Sequence, residues 1–162
     1  MGFLELKLGS PELIDMAIMS LYGKYPNLTM DTVPDLINIA EFLLQPELKA
    51  FCVNWINYDF EVDEDNVENL LHLTSLYDFE SPKLTMYIRQ HLLELLGGNQ
   101  LLKITADTLE NMFLDATLSY VNADVRFEFV MRWVEHSPEQ RKSNLHKKNW
   151  EYRTYRSSGR FN

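Results

Sequence analysis

The 162-residue chain is long enough for one domain, or one domain and part of a second, and its 46% apolar fraction suffices for a real core. Its net charge of −9 is unevenly spread: residues 1–140 hold 8 Lys/Arg against 23 Asp/Glu, and residues 141–162 hold 7 against one. The acidic body makes a poor non-specific nucleic-acid binder, because phosphate contacts need clustered Lys/Arg.

In chain order, Phe3-Leu4-Glu5-Leu6-Lys7-Leu8 carries a short strand signal. Ser10 as cap with Pro11 at the first helical position starts a helix to about Tyr22, with Leu13, Met16, Ala17 and Leu21 on one face. Leu28-Thr29-Met30 is a brief strand or an extended lead-in. Asp31 or Thr32 caps a helix that buries Val33, Leu36, Ile37, Ala40, Phe42 and Leu43. Pro46 opens the next, with Leu48, Phe51, Cys52, Trp55 and Ile56 inside. The run Asp63-Glu64-Asp65 suits a helix N-terminus, where the backbone dipole favours acids. The following helix buries Val67, Leu70, Leu71, Leu73 and Leu76. Ser81 caps another, with Leu84, Tyr87, Ile88, His91, Leu92 and Leu95 inside, and Gly97-Gly98 stops it. Thr105 or Asp107 starts a helix carrying Leu109, Met112, Phe113 and Ala116. Asn122 or Asp124 starts one carrying Val125, Phe127, Phe129, Val130, Trp133 and Val134, which His136-Ser137-Pro138 ends. A last helix runs from Pro138 through Arg141 and Leu145. Residues 146–162 are basic, aromatic and aperiodic, the composition of a disordered tail.

Asp31-Thr32-Val33-Pro34-Asp35-Leu36-Ile37 returns 34 residues later as Asp65-Asn66-Val67-Glu68-Asn69-Leu70-Leu71, each copy followed by a proline turn and a second apolar run. Tandem helix-turn-helix units are the build of an interaction module. The small residues that tetratricopeptide repeats need at fixed offsets are missing, so that reading is set aside. Nothing in the pattern points to chemistry. His72, His91, His136 and His146 lack metal-ligand spacing, and His91 reads as a core or boundary residue. Cys52 reads as a small core hydrophobe, and as a lone cysteine it excludes a disulfide framework. Met16, Met19 and Met30 read as gap fillers, with an adaptable binding surface as the alternative, and Trp55 and Trp133 read as core. No cofactor is expected. The start lacks the marks of a signal peptide, and no apolar run approaches the roughly 20 residues that span a bilayer, so no membrane partner is expected. The lone thiol fits a reducing compartment, and a cytoplasmic or nuclear location is the expectation.

These residues carry a resemblance. Residues 6–56 resemble the C-terminal half of a BTB (POZ) domain, through Leu21-Tyr22-Gly23-Lys24, the Asp31–Leu36 helix start, Ala40-Glu41-Phe42-Leu43, Pro46-Glu47-Leu48 and Cys52. Residues 65 to about 145 resemble the start of a BACK domain, through Asn66-Val67, Leu73, Tyr77 and the set Phe127, Val130, Trp133, Val134, His136 and Arg141. BTB followed by BACK is the order of Kelch-like proteins. The resemblance implies three segments: 1–58, part of a BTB domain; 59–145, a truncated BACK domain; and 146–162, the tail. It implies a fragment, a splice product or a decayed copy, without the Kelch repeats and without the BTB half that holds most of the dimerising surface, which leaves dimerisation open.

The expected fold is mainly α, a partial BTB domain then a truncated BACK domain, with one N-terminal strand at most. The function the resemblance implies is protein–protein interaction, as in adaptor regions of cullin-type ubiquitin ligase receptors. In the family, cullin binding uses a hydrophobic-x-Glu motif in the first helix here. That motif falls on Ile14-Asp15-Met16, with Met16 in place of Glu, so a cullin partner would be held weakly. The candidate interface is Glu12, Ile14, Asp15, Met16 and Tyr22. The alternatives are a helical scaffold or competitor unrelated to ubiquitin, and nucleic-acid association through the tail.

Overall fold

The structure is a computed structural model that describes residues 9–115 and 120–147, with side chains to residue 143. It is mainly α, and the described residues form no strand. The expected strand at residues 3–8, the position of Ala116 and residues 148–162 of the expected tail lie outside the described residues, whereas His146 and Lys147, expected in the tail, belong to the last helix. Leu28 and Thr29 form no strand and lead into the turn before the second helix.

The helices are α1 (Pro11–Ser20), α2 (Val33–Phe42), α3 (Pro46–Tyr58), α4 (Val67–Tyr77), α5 (Pro82–Gly97), α6 (Ala106–Leu114), α7 (Ala123–His136) and α8 (Pro138–Lys147). Five of them, α1, α2, α3, α5 and α8, begin at or beside a proline. Proline at the first turn sacrifices only an N–H that has no helical partner. The repeat is real: α2 and α4 begin 34 residues apart, at Val33 and Val67. Both valines are buried, as are the pairs Leu36 and Leu70, Ile37 and Leu71, and Ile39 and Leu73.

The chain forms two compact units. The first ends at Glu61 and takes in Leu76–Ser81; the second combines Val62–Ser75 with the chain from Pro82 onward. In the first, α2 packs against α1 and α3. Its core is Leu13, Ala17, Val33, Leu36, Ile37, Ile39, Ala40, Leu48, Cys52 and Ile56. Lys49 ties the unit together: its Nζ pairs with Glu41 and donates to the Tyr77 carbonyl at 2.8 Å. Ser81, expected as a cap, is buried, and its hydroxyl lies 2.6 Å from Asn57 Oδ1.

In the second unit α7 packs on α5 and α8. Phe129, Val130, Trp133 and Val134 of α7 are buried, as are Leu84, Ile88, Leu92, Leu95 and Leu96 of α5. Leu101 and Ile104 are the buried ends of the apolar patch between α5 and α6.

Several expected core positions are corrected. Leu21 is 64% exposed because α1 ends at Ser20, and Ser20 takes the inward place one turn on from Ala17. Phe42 and Leu43 close α2 and are exposed, whereas Ile39, left out of the sequence set, is fully buried. Leu76 is exposed at the end of α4. Phe51 and Trp55 are half-buried and pair with other rings instead: Tyr25 lies tilted against Phe51 at 4.5 Å and Phe60 against Trp55 at 5.1 Å between ring centres. Tyr87 and His91 are half-exposed partners, their rings stacked at 4.5 Å.

Candidate partner interface

α1 presents the expected interface residues. Its inward stripe, Leu13, Ala17 and Ser20, repeats at four and three residues and is buried. Glu12 and Asp15 are exposed, Ile14 and Met16 are half-buried, and Tyr22 stands beyond the helix end at 76% exposure. At about 100° per residue, Glu12, Asp15, Met16 and Met19 share the outer face, whereas Ile14 lies some 160° around the axis from Met16. The helix therefore separates the two ends of the Ile14-Asp15-Met16 stretch. The Ser10 hydroxyl, expected to cap the backbone, bonds the Glu12 carboxyl instead and, with the Glu12 backbone N–H, holds it below its usual range.

The end of α1 shapes the surface beside it. Gly23 has φ 76°. Its N–H donates to the Ser20 carbonyl at 2.9 Å, and the Lys24 N–H donates to the Met19 carbonyl at 3.1 Å. That bond pair is a Schellman cap, which needs a left-handed residue at its turn. It stops the helix and leaves Leu21 and Tyr22 outward. The same cap ends α2, with Leu44 N–H to the Glu41 carbonyl and Gln45 N–H to the Ala40 carbonyl. Here the left-handed residue is Leu44, at φ 54° and 85% exposed. A leucine that is both strained and exposed adds nothing to the packing of its own chain.

The acidic run is engaged in capping. Asp63 Oδ1 accepts from the Asp65 and Asn66 N–H groups at 3.0 Å each, and Asn66 Oδ1 accepts in return from the Asp63 N–H at 3.1 Å. This reciprocal cap at the start of α4 is a structural use of the carboxylate. Among the described residues no group of His, Cys, Asp and Glu is arranged to hold a metal ion. Burial pushes the Cys52 thiol up to about 12, so it is a poor nucleophile in the native state. His72 and His136 are exposed.

The late signature forms a structural lock. Trp133 Nε1 donates to the Ile104 carbonyl at 2.9 Å. The Arg141 guanidinium lies 4.2 Å from the Trp133 ring centre and donates to the Leu102 carbonyl at 2.7 Å and to the Trp133 carbonyl. Burial lowers the Arg141 pKa, and Glu68 opposes that shift. Two arginines escaped the sequence reading. Arg132 donates to the Leu96, Gly97 and Gly98 carbonyls, a cation on the C-terminus of α5. Arg126 is buried and donates twice to the Val121 carbonyl. Nothing near Arg132 in sequence announces its partners, which lie about 35 residues away.

No helix among the described residues is long and apolar enough to cross a membrane. Residues 72–147 match the family model of BACK, "BTB And C-terminal Kelch". Human Kelch-like protein 31 is 25% identical over 131 residues, covering 78% of this chain. The chain spans 20% of that relative's length.

Proposed function

We propose that the chain is a BTB–BACK segment of the Kelch-like type, a non-catalytic adaptor that binds other proteins, with a cullin-type scaffold as the partner to test first. We assign residues 1–58 to the BTB part, 59–147 to the BACK part, two residues further than the sequence pattern carries it, and 148–162 to the tail. The observation that carries the reading is where the apolar surface lies. Of the fourteen large hydrophobic residues exposed among those described, ten are in the first unit: Ile18, Met19, Leu21, Tyr22, Tyr25, Phe42, Leu43, Leu44, Tyr58 and Leu76. This weighting of exposed apolar side chains to one unit supports an interaction role for that unit. Met19 shares the outer face of α1 with Glu12, Asp15 and Met16, which sets hydrophobic contact beside negative charge.

Met16 stands where the family motif has Glu, so the wild-type chain is expected to bind a cullin weakly. Titration calorimetry against a cullin N-terminal domain tests this. Met16→Glu should tighten binding, Tyr22→Ser should weaken it, and removal of residues 148–162 should leave it unchanged. Binding that disappears with the tail would refute the α1 interface.

A further inference from the structure

The second unit carries a groove of about 470 Å3 whose walls include Glu64, Asp65, Glu68, Gln100, Lys103 and His136. Lys103 is its cation, and that ammonium is 3.9 Å from Glu68. The same acidic run acts on α5. Desolvation, and then the charges of Glu64, Asp63, Glu94 and Asp65, push the Tyr87 phenol above its ordinary pKa. Tyr87 stacks on His91, whose Nδ1 is 2.9 Å from Glu94 Oε2. The half-exposed aromatic pair thus has the Glu94 carboxylate against one of its rings. A guanidinium fits this chemistry on two counts, because it stacks on aromatic faces and bonds carboxylates in a bidentate fork.

The chain contains a segment of matching character. Residues 148–162 hold Lys148, Arg153, Arg156 and Arg160 against the single acid Glu151, interleaved with Trp150, Tyr152 and Tyr155. We propose that this segment docks in cis on the acidic groove and the Tyr87–His91 pair, with an arginine of the 153–160 stretch over the rings. The reach is sufficient. His136, at the end of α7, lines the groove, and Arg141 fastens α8 to Leu102 nearby. The ten residues of α8 advance the chain only about 15 Å, whereas fifteen extended residues can span about 50 Å. The docked segment offsets the repulsion among the carboxylates and shields the groove from other basic partners.

Hydrogen exchange on the full chain, read by mass spectrometry at low salt, tests the proposal. Amides of residues 148–160 should exchange roughly tenfold or more slowly than an unprotected chain. That protection should vanish in about 0.5 M salt, where charges are screened within a few ångströms. It should also vanish in a Glu64→Gln/Glu94→Gln double variant. Both of those side chains are exposed, so the variant should melt at the wild-type temperature. Unprotected exchange in the wild type would overturn the proposal, as would protection that survives both salt and the double substitution. Protection that grows with protein concentration would place the segment on a second copy and overturn docking in cis.

Discussion

Trp133 and Cys52 show how single side chains are committed. Trp133 is 1% exposed, packs in the α7 stripe, bonds the Ile104 carbonyl and carries the Arg141 guanidinium on its ring. Trp133→Ala should cost about 3–5 kcal/mol, read from the shift in a urea unfolding midpoint. Trp133→Phe keeps the ring but leaves the Ile104 carbonyl without its indole donor. It should fall between, at about 1–3 kcal/mol. Cys52 is fully buried, and its thiol pKa is pushed from 9.0 to about 12 by burial. Between those values the unfolded chain loses the proton and the native chain keeps it. Cys52 therefore contributes stability that is complete below pH 9 and lost as pH rises towards 12. A thiol-labelling reagent at pH 9 should leave the native protein unmodified and label it fully in denaturant. Rapid native labelling would show that the α3 face is open.

At the scale of elements, helix ends carry much of the specificity. Asp63 and Asn66 cap α4 reciprocally. Asp63→Ala should cost about 0.5–2 kcal/mol, and Asp63→Ser should recover most of it, both read by thermal melting. Leu44 occupies the left-handed turn of the α2 cap, where glycine avoids a Cβ penalty of roughly 1–2 kcal/mol. The gain is partly offset by the greater unfolded freedom of glycine, about 0.5–1 kcal/mol. Leu44→Gly should therefore raise the melting temperature modestly. If Leu44 also contacts a partner, the same change should weaken binding in the calorimetric titration, separating its cost to the fold from its use.

Across the whole molecule, the apolar surface is uneven. The first unit exposes Leu21, Tyr22 and Leu44 at 64%, 76% and 85%, while four exposed large hydrophobics belong to the second. The triple variant Leu21→Ser/Tyr22→Ser/Leu44→Ser should bind less of a hydrophobic dye and show less concentration-dependent association in light scattering, with little loss of melting temperature. Exposed residues make few contacts to lose, so a large destabilisation would mean that these side chains pack.

The sequence by itself determined the helices, their order and the 34-residue repeat. Val33, Leu36 and Ile37 and their counterparts Val67, Leu70 and Leu71 keep a helical period, and prolines and capping residues mark where the helices start. It also carried the BTB–BACK resemblance, whose Trp133 and Arg141 are the centre of the lock in the second unit. Tertiary structure alone decided which apolar residues stay outside. Periodicity gives a face but not the residue at which the helix stops, so it turns Leu21, Phe42, Leu43 and Leu76 inward although each lies in the last turn of a helix or just beyond it. It also decided the pairing of Arg132 with the end of α5 and the stacking of Tyr87 on His91. A guanidinium chooses its carbonyls, and a ring its neighbour, only after helices distant in sequence have packed.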